Sequence, residues 1–154
     1  MRPRTLFLLA LILVATFSTP LFATDNQEEI ELGFQIEMGT YAVPVEISGI
    51  GTEYLTFDTG ASYTVLDRET LSPLDLKSDE RVNVYLSHEG KLLPAVFVVL
   101  PEMKIGKCVL RNRRVIVMDI PKKRHGVLGM NDLEALAPFT FTSNGQLVIS
   151  CTQK

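Results

Sequence analysis

Residues 54–67 read Tyr54-Leu-Thr-Phe-Asp58-Thr59-Gly60-Ala61-Ser62-Tyr-Thr-Val-Leu-Asp67. An apolar run leads straight into an acid, a hydroxyl residue and a glycine, then resumes as Thr64-Val65-Leu66. This pattern places one carboxylate at a tight turn between two buried strands. Gly60 permits a backbone path that a side chain would obstruct, and the Thr59 and Ser62 hydroxyls can bond a carboxylate or the turn backbone. Asp, Thr and Gly are also ordinary turn residues, so the three alone describe no more than a hairpin.

Working outward, the chain stays strand-like, with short β-branched and aromatic runs punctuated by Gly, Pro, Asn and Asp. Strands are expected at 29–37, 41–48, 53–57, 64–66, 81–86, 92–100 and 109–118. A final hairpin joins Phe139-Thr-Phe-Thr142 to Leu147-Val-Ile149, with Asn144-Gly145 supplying the positive φ angles of its turn. One short helix is expected from about Asp132 to Leu136, stopping before Pro138. Its start signal is Asn131-Asp-Leu-Glu134, a capping residue with Glu three positions on. No linker, charge block or repeat divides the chain, and an all-β barrel or sandwich follows.

The N-terminus has the features of an export signal. Arg2 and Arg4 precede an apolar run from Leu6 to Phe17, then Ser18-Thr19-Pro20 and a cleavage position after Ala23. Residues 1–23 are read as a signal peptide and 24–154 as one domain, exported to the periplasm or secreted. Leu21 is a poor residue three places before the cut, and the apolar stretch approaches the length of a membrane span, so a retained anchor over residues 6–23 is the alternative. A membrane partner is expected only in that case. The 154-residue chain is too short for two full lobes around separate cores. Residues 24–154 carry 13 Lys and Arg against 18 Asp and Glu, a formal charge of −5, which argues against a nucleic-acid partner. Cys108 and Cys151 meet oxidising conditions after export, so a disulfide is permitted, and two buried thiols in apolar strands fit equally well. Neither has the spacing of a metal or redox site.

In full, Leu55-Thr-Phe-Asp58-Thr59-Gly60-Ala61-Ser62 followed by Thr64-Val-Leu resembles the active-site segment of aspartic peptidases, above all the single-lobed retropepsin-like branch. Gly126-Val127-Leu128-Gly129 before a short helix resembles the family's second signature, two apolar residues and a glycine supporting the catalytic loop. Between them, residues 83–100 resemble the flap hairpin, with Ser87, His88, Glu89 and Gly90 at its tip. The resemblance runs from about residue 42 to 149. It implies a closed retropepsin-like (acid protease) barrel, all-β with one short C-terminal helix and half a site per chain.

A single Asp-Thr-Gly is present, and Asp67, Asp75, Asp79, Asp119 and Asp132 are read as surface or capping carboxylates. The family's chemistry needs two acids, so the resemblance implies a homodimer in which two Asp58 carboxylates meet on a two-fold axis. Two like charges a few ångströms apart cannot both ionise comfortably, and the pair holds one proton. One Asp58 would be general base to a water, the other would polarise the scissile carbonyl and protonate the leaving amine. Thr59 would bond across the dimer, Ser62 would bond the Asp58 carboxylate, and Ala61 would lie beside the bound peptide. No cofactor and no metal is implied. The implied partners are a peptide or protein substrate and a second copy of the chain.

Two other functions fit the same residues: a dimeric peptide-binding module without catalysis, and an enzyme cutting an unusual amide such as a peptidoglycan or isopeptide link. An intact Asp58-Thr59-Gly60 with Ser62 speaks against the first, because a pure binder does not need it. His88 and His125 read as loop residues, and Lys122-Lys123-Arg124 as a solvated basic loop.

Overall fold

One long strand organises the molecule. In a computed structural model of the protein, which describes residues 27–31, 33–35, 39–86, 90–121 and 125–151, a strand spans Lys91–Ile105 and pairs with three others. In chain order the strands are β1 (Gln27–Glu31), β2 (Gly33–Gln35), β3 (Thr40–Ile47), β4 (Gly51–Phe57), β5 (Val65–Asp67), β6 (Ser78–Leu86) and β7, the long one. They are followed by β8 (Cys108–Met118), β9 (Gly126–Leu128), β10 (Phe139–Phe141) and β11 (Gln146–Ser150). Helix α1 is Arg68–Leu71 and α2 is Met130–Leu133, continued by a 3-10 turn over Glu134–Leu136.

The larger sheet runs β2-β3-β4-β9-β5-β8-β7-β6. β7 also pairs with β3 through Glu46 with Lys104 and Ile47 with Met103, which closes the sheet on itself. The expected all-β closed barrel is therefore present. A separate sheet, β1-β11-β10, holds both ends of the described chain. The expected strand at 29–37 is two strands in two sheets, β1 with β11 and β2 with β3.

β7 continues past the expected end at Leu100, through Pro101, whose ring removes a ladder donor. Pro101 lies opposite Asn112, between the pairs Leu100 with Arg113 and Glu102 with Arg111, and Asn112 takes a φ of 52° there. The register is unchanged on either side, so the irregularity costs one rung and the strand survives.

Alternation decides which faces are buried. In β3, Val43, Val45 and Ile47 point inward and are essentially inaccessible, joined by Leu55, Leu66, Leu100, Met103, Ile105, Val115 and Leu128. Leu133 and Leu136 of the helical segment and Leu147 and Ile149 of β11 pack on the same core. Truncating any one of the leucines, isoleucines or Met103 among these to alanine costs on the order of 2–5 kcal/mol. A second cluster, Ala95, Phe97, Ile116 and Met118, underlies the β6–β7 hairpin and reaches Tyr63 and Val65 beyond the Asp58 turn.

Cys108 and Cys151 form a disulfide with Cα atoms 5.4 Å apart, which decides between the two readings of these cysteines. It ties the start of β8 to the residue after β11. The expected 1–23 signal segment lies outside the described residues.

Candidate active site

The turn at Asp58 is built between two strands that a third strand bridges. β4 enters it, β5 leaves it, and β9 lies between them, parallel to β4 (Leu55 with Gly126, Phe57 with Leu128) and paired to β5 at Val65 with Val127. Residues 58–64 therefore stand out from the end of a three-strand unit whose floor, Leu55, Leu66 and Leu128, is buried.

Asp58 takes the first position after β4. Its backbone N–H donates to the Leu128 carbonyl at 3.1 Å, and its carbonyl accepts from the Ala61 N–H at 3.3 Å, closing a four-residue turn. One carboxylate oxygen, Oδ1, accepts the Gly60 N–H at 2.8 Å. A side chain at Gly60 would bring its Cβ to 3.1 Å from that same oxygen. Among the described residues the other oxygen, Oδ2, makes no hydrogen bond, and the residue is only half-buried. The turn thus fixes one face of the acid and presents the other.

Around it, Thr59, Gly60 and Ser62 are exposed and Ala61 is half-buried. No hydrogen bond joins the Ser62 hydroxyl to Asp58 among the described residues. The carboxylate's partner is a backbone amide. Val127 and Leu128 lie in β9 and Gly129 follows it, buried against the loop. Gly90, with φ of 63°, immediately precedes β7 at the end of the β6–β7 hairpin, and Ser87, His88 and Glu89 lie outside the described residues. Lys122, Lys123 and Arg124 lie outside them as well. His125 is exposed, its ring 6.4 Å from that of Tyr54.

Behind the turn, the chain after Gly129 is stitched to the loop. The Met130 N–H donates to the Ala61 carbonyl at 2.8 Å and the Asn131 N–H to the Ser62 carbonyl at 3.1 Å. The Asn131 side chain accepts the Thr64 N–H at 2.8 Å and donates to the Arg114 carbonyl at 3.0 Å. The local pattern puts Asn131 at the helix start as a cap. Instead Gly129 is the cap residue, α2 begins at Met130, and the Asn131 amide serves the loop.

Asp132 corrects a further expectation. It is not a surface or capping carboxylate: it is fully buried. Its Oδ2 accepts the Thr64 hydroxyl at 2.5 Å and its Oδ1 the Arg113 Nε at 2.6 Å. Arg113 also donates to the Asn131 carbonyl, and the Thr64 oxygen accepts the Gly129 N–H at 3.1 Å. Sequence reasoning missed Thr64, Arg113 and Asp132. The available signal was Arg113 itself, a charge entering the apolar strand Val115-Ile-Val, which needs a partner if it points inward. Its neighbour Arg114 turns the other way, pairs with Glu80 at 2.7 Å and lies 3.9 Å over the Phe97 ring. Asp79 is 3.4 Å from the same guanidinium.

On the other flank of Asp58, Phe57 meets Phe139 and Phe141 edge-on at 5.1 Å each, and Phe141 stacks on Tyr41 at 5.0 Å. This aromatic group ties β4 to the small sheet. Among the described residues no group of three or more His, Cys, Asp or Glu is placed to hold a metal ion.

A closed single-lobed β-barrel carrying one Asp-Thr-Gly turn braced by a glycine-flanked strand defines the acid-protease class of fold. The aspartyl protease family model matches residues 43–131, more than half of the chain, and the chain belongs to that family. No curated protein sequence matches it. Among solved structures it is similar to a retropepsin-like aspartic protease from Rickettsia conorii, with a TM-score of 0.57 and 22% identity over 81% of this chain and 90% of that one. It is also similar to EIAV protease complexed with the inhibitor HBY-793, with a TM-score of 0.45 and 19% identity over 66% of this chain and 92% of that one. The fold is retropepsin-like.

Proposed function

We propose that the chain is an aspartic endopeptidase whose active site forms between two copies, each contributing Asp58. The observation that carries this is the Asp58 turn: a half-exposed carboxylate with Oδ1 held by the Gly60 amide and Oδ2 left for chemistry. Membership of the aspartyl protease family supports the reaction class.

In this reaction the ionised Asp58 of one copy takes a proton from a water lying between the two carboxylates. The water oxygen bonds the scissile carbonyl carbon while the protonated Asp58 of the second copy donates to the carbonyl oxygen. The tetrahedral intermediate then breaks its C–N bond, the nitrogen leaving with a proton from one carboxylic acid while a hydroxyl of the intermediate returns its proton to the other carboxylate, which restores the singly protonated pair. Thr59, exposed beside Asp58, meets its counterpart in the second copy. The β6–β7 hairpin, with Gly90 near its end, closes over an extended peptide and excludes water.

Export accompanies this reading. The apolar run at residues 6–17 and the Cys108–Cys151 disulfide both support a protein working outside the reducing cytoplasm. The test is cleavage of a fluorogenic peptide library between pH 4 and 7, with and without a statine-type inhibitor. Inhibitable cleavage that disappears in Asp58→Asn is the expected result, and cleavage persisting in that variant overturns it.

A further inference from the structure

A buried ion pair, Arg113 with Asp132, stands behind the Asp58 turn. Asp132 is fully buried and the Arg113 side chain is 29% exposed. Removing both charges from water costs several kcal/mol, and replacing such a pair with apolar groups of similar volume is often neutral or stabilising. What apolar groups cannot supply is direction. Asp132 turns one oxygen to Arg113 and the other to the Thr64 hydroxyl, which is itself buried. Because that hydroxyl must donate to Asp132, its lone pair is turned to accept from the Gly129 N–H. Arg113 in turn holds the Asn131 carbonyl, while the Asn131 side chain takes the Thr64 N–H.

The pair therefore sets the distance and angle between the two segments that carry the catalytic turn. Residues 58–64 contact residues 128–131 through Asp58 to Leu128, Met130 to Ala61 and Asn131 to Ser62. On the loop side all three bonds fall at residues 58–62, before Thr64, and on the other side they bracket Gly129, at Leu128 before it and Met130 and Asn131 after it. A shift at the junction of Thr64 and Gly129 moves the turn as a body.

We propose that Arg113 and Asp132 are positioning residues for Asp58, acting through the Thr64 hydroxyl and the Gly129 amide. The role in catalysis rests on the reading of Asp58 as the catalytic acid. The role in placing the loop does not. Neither residue contacts Asp58 itself, so the effect of removing them on Asp58 is indirect, through the placement of the turn.

The test is the double variant Arg113→Met with Asp132→Leu, which removes both charges together and leaves no unpaired one. Asp132→Asn serves as the single comparison. Amide hydrogen exchange is read at Thr64 and Gly129 and at the β7–β8 ladder. In the double variant the first two amides exchange faster by about tenfold or more while the ladder is unchanged, a local opening. The kcat falls by at least about tenfold, since small misplacement of a reacting group is costly, with KM within about twofold. Uniform acceleration across the ladder assigns the pair to global stability and overturns the proposal. So do unchanged exchange at Thr64 and Gly129, an unchanged kcat, or an effect on KM alone. If the wild-type protein cleaves no peptide and matches Asp58→Asn, the proposed function fails, while the exchange measurement still decides whether the pair holds the loop.

Discussion

Gly129 lies so close to Tyr63 that a Cβ built on it would stand 2.3 Å from the Tyr63 carbonyl carbon, 2.4 Å from its oxygen and 2.8 Å from the Thr64 nitrogen. All three are backbone atoms of the loop that follows Asp58, so no side chain can swing away to make room. Gly129→Ala must part the two segments. The cost expected from overpacking is about 1–3 kcal/mol, with a large loss of peptidase activity. Urea denaturation checks it, and a midpoint equal to wild type would contradict the contact.

Asp58→Asn is expected to fold normally. The amide oxygen can accept the Gly60 N–H as the carboxylate does, so the turn survives. Activity should drop by about 10²-fold or more, the share general base catalysis commonly supplies. Thermal melting alongside a progress curve separates loss of chemistry from loss of fold.

Dilution gives an independent measure of the half-site. If each copy brings one Asp58, specific activity falls as the protein is diluted through the dimer dissociation range, in step with sedimentation velocity. Activity strictly proportional to protein concentration in a monomeric sample would place the second acid within one chain.

The disulfide closes a loop between residues 43 apart in sequence. In the chain-entropy account that is worth about 4 kcal/mol. Cys108→Ser with Cys151→Ser should lose roughly 2–4 kcal/mol, read from chemical denaturation of the double variant against the oxidised protein.

At Gly90 the strain is conformational only, because φ is 63° and a Cβ placed there would meet nothing within 4 Å. Gly90→Val should cost about 1–2 kcal/mol. A larger proportional loss is expected in kcat/KM if the β6–β7 hairpin closes over substrate. Unchanged kinetics would move the closing element elsewhere.

Much of the barrel is legible in the sequence because strand alternation and turn residues are local signals. The turn at Asp58 and the hairpin before β11 both declare themselves within a few residues. The site's rear wall is not legible, for the opposite reason. Asn131-Asp-Leu-Glu134 satisfies the local pattern of a helix cap, but Asp132 bonds Arg113, 19 residues before it, and Thr64, 68 before it. Tertiary partners override the local cap, and the helix starts earlier than that pattern implies. The end expected for β7 at Leu100 rests on the same kind of local signal: a proline such as Pro101 removes a ladder donor, yet the pairing with β8 resumes in the same register at Glu102 with Arg111.

The small sheet has one more consequence. Gln27 of β1 is the ladder partner of Ser150 of β11, so these two residues, 123 positions apart, lie about 5 Å from one another. In space the described part of the chain, from residue 27 to residue 151, is nearly a ring. What specifies the barrel is the cyclic order of its strands, and the point at which that ring is opened is secondary. A circular permutant that keeps Cys151 and its disulfide, joined from residue 151 to residue 27 by a short linker and opened in the exposed segment at Ser72 and Pro73, would write the same barrel from a different first residue.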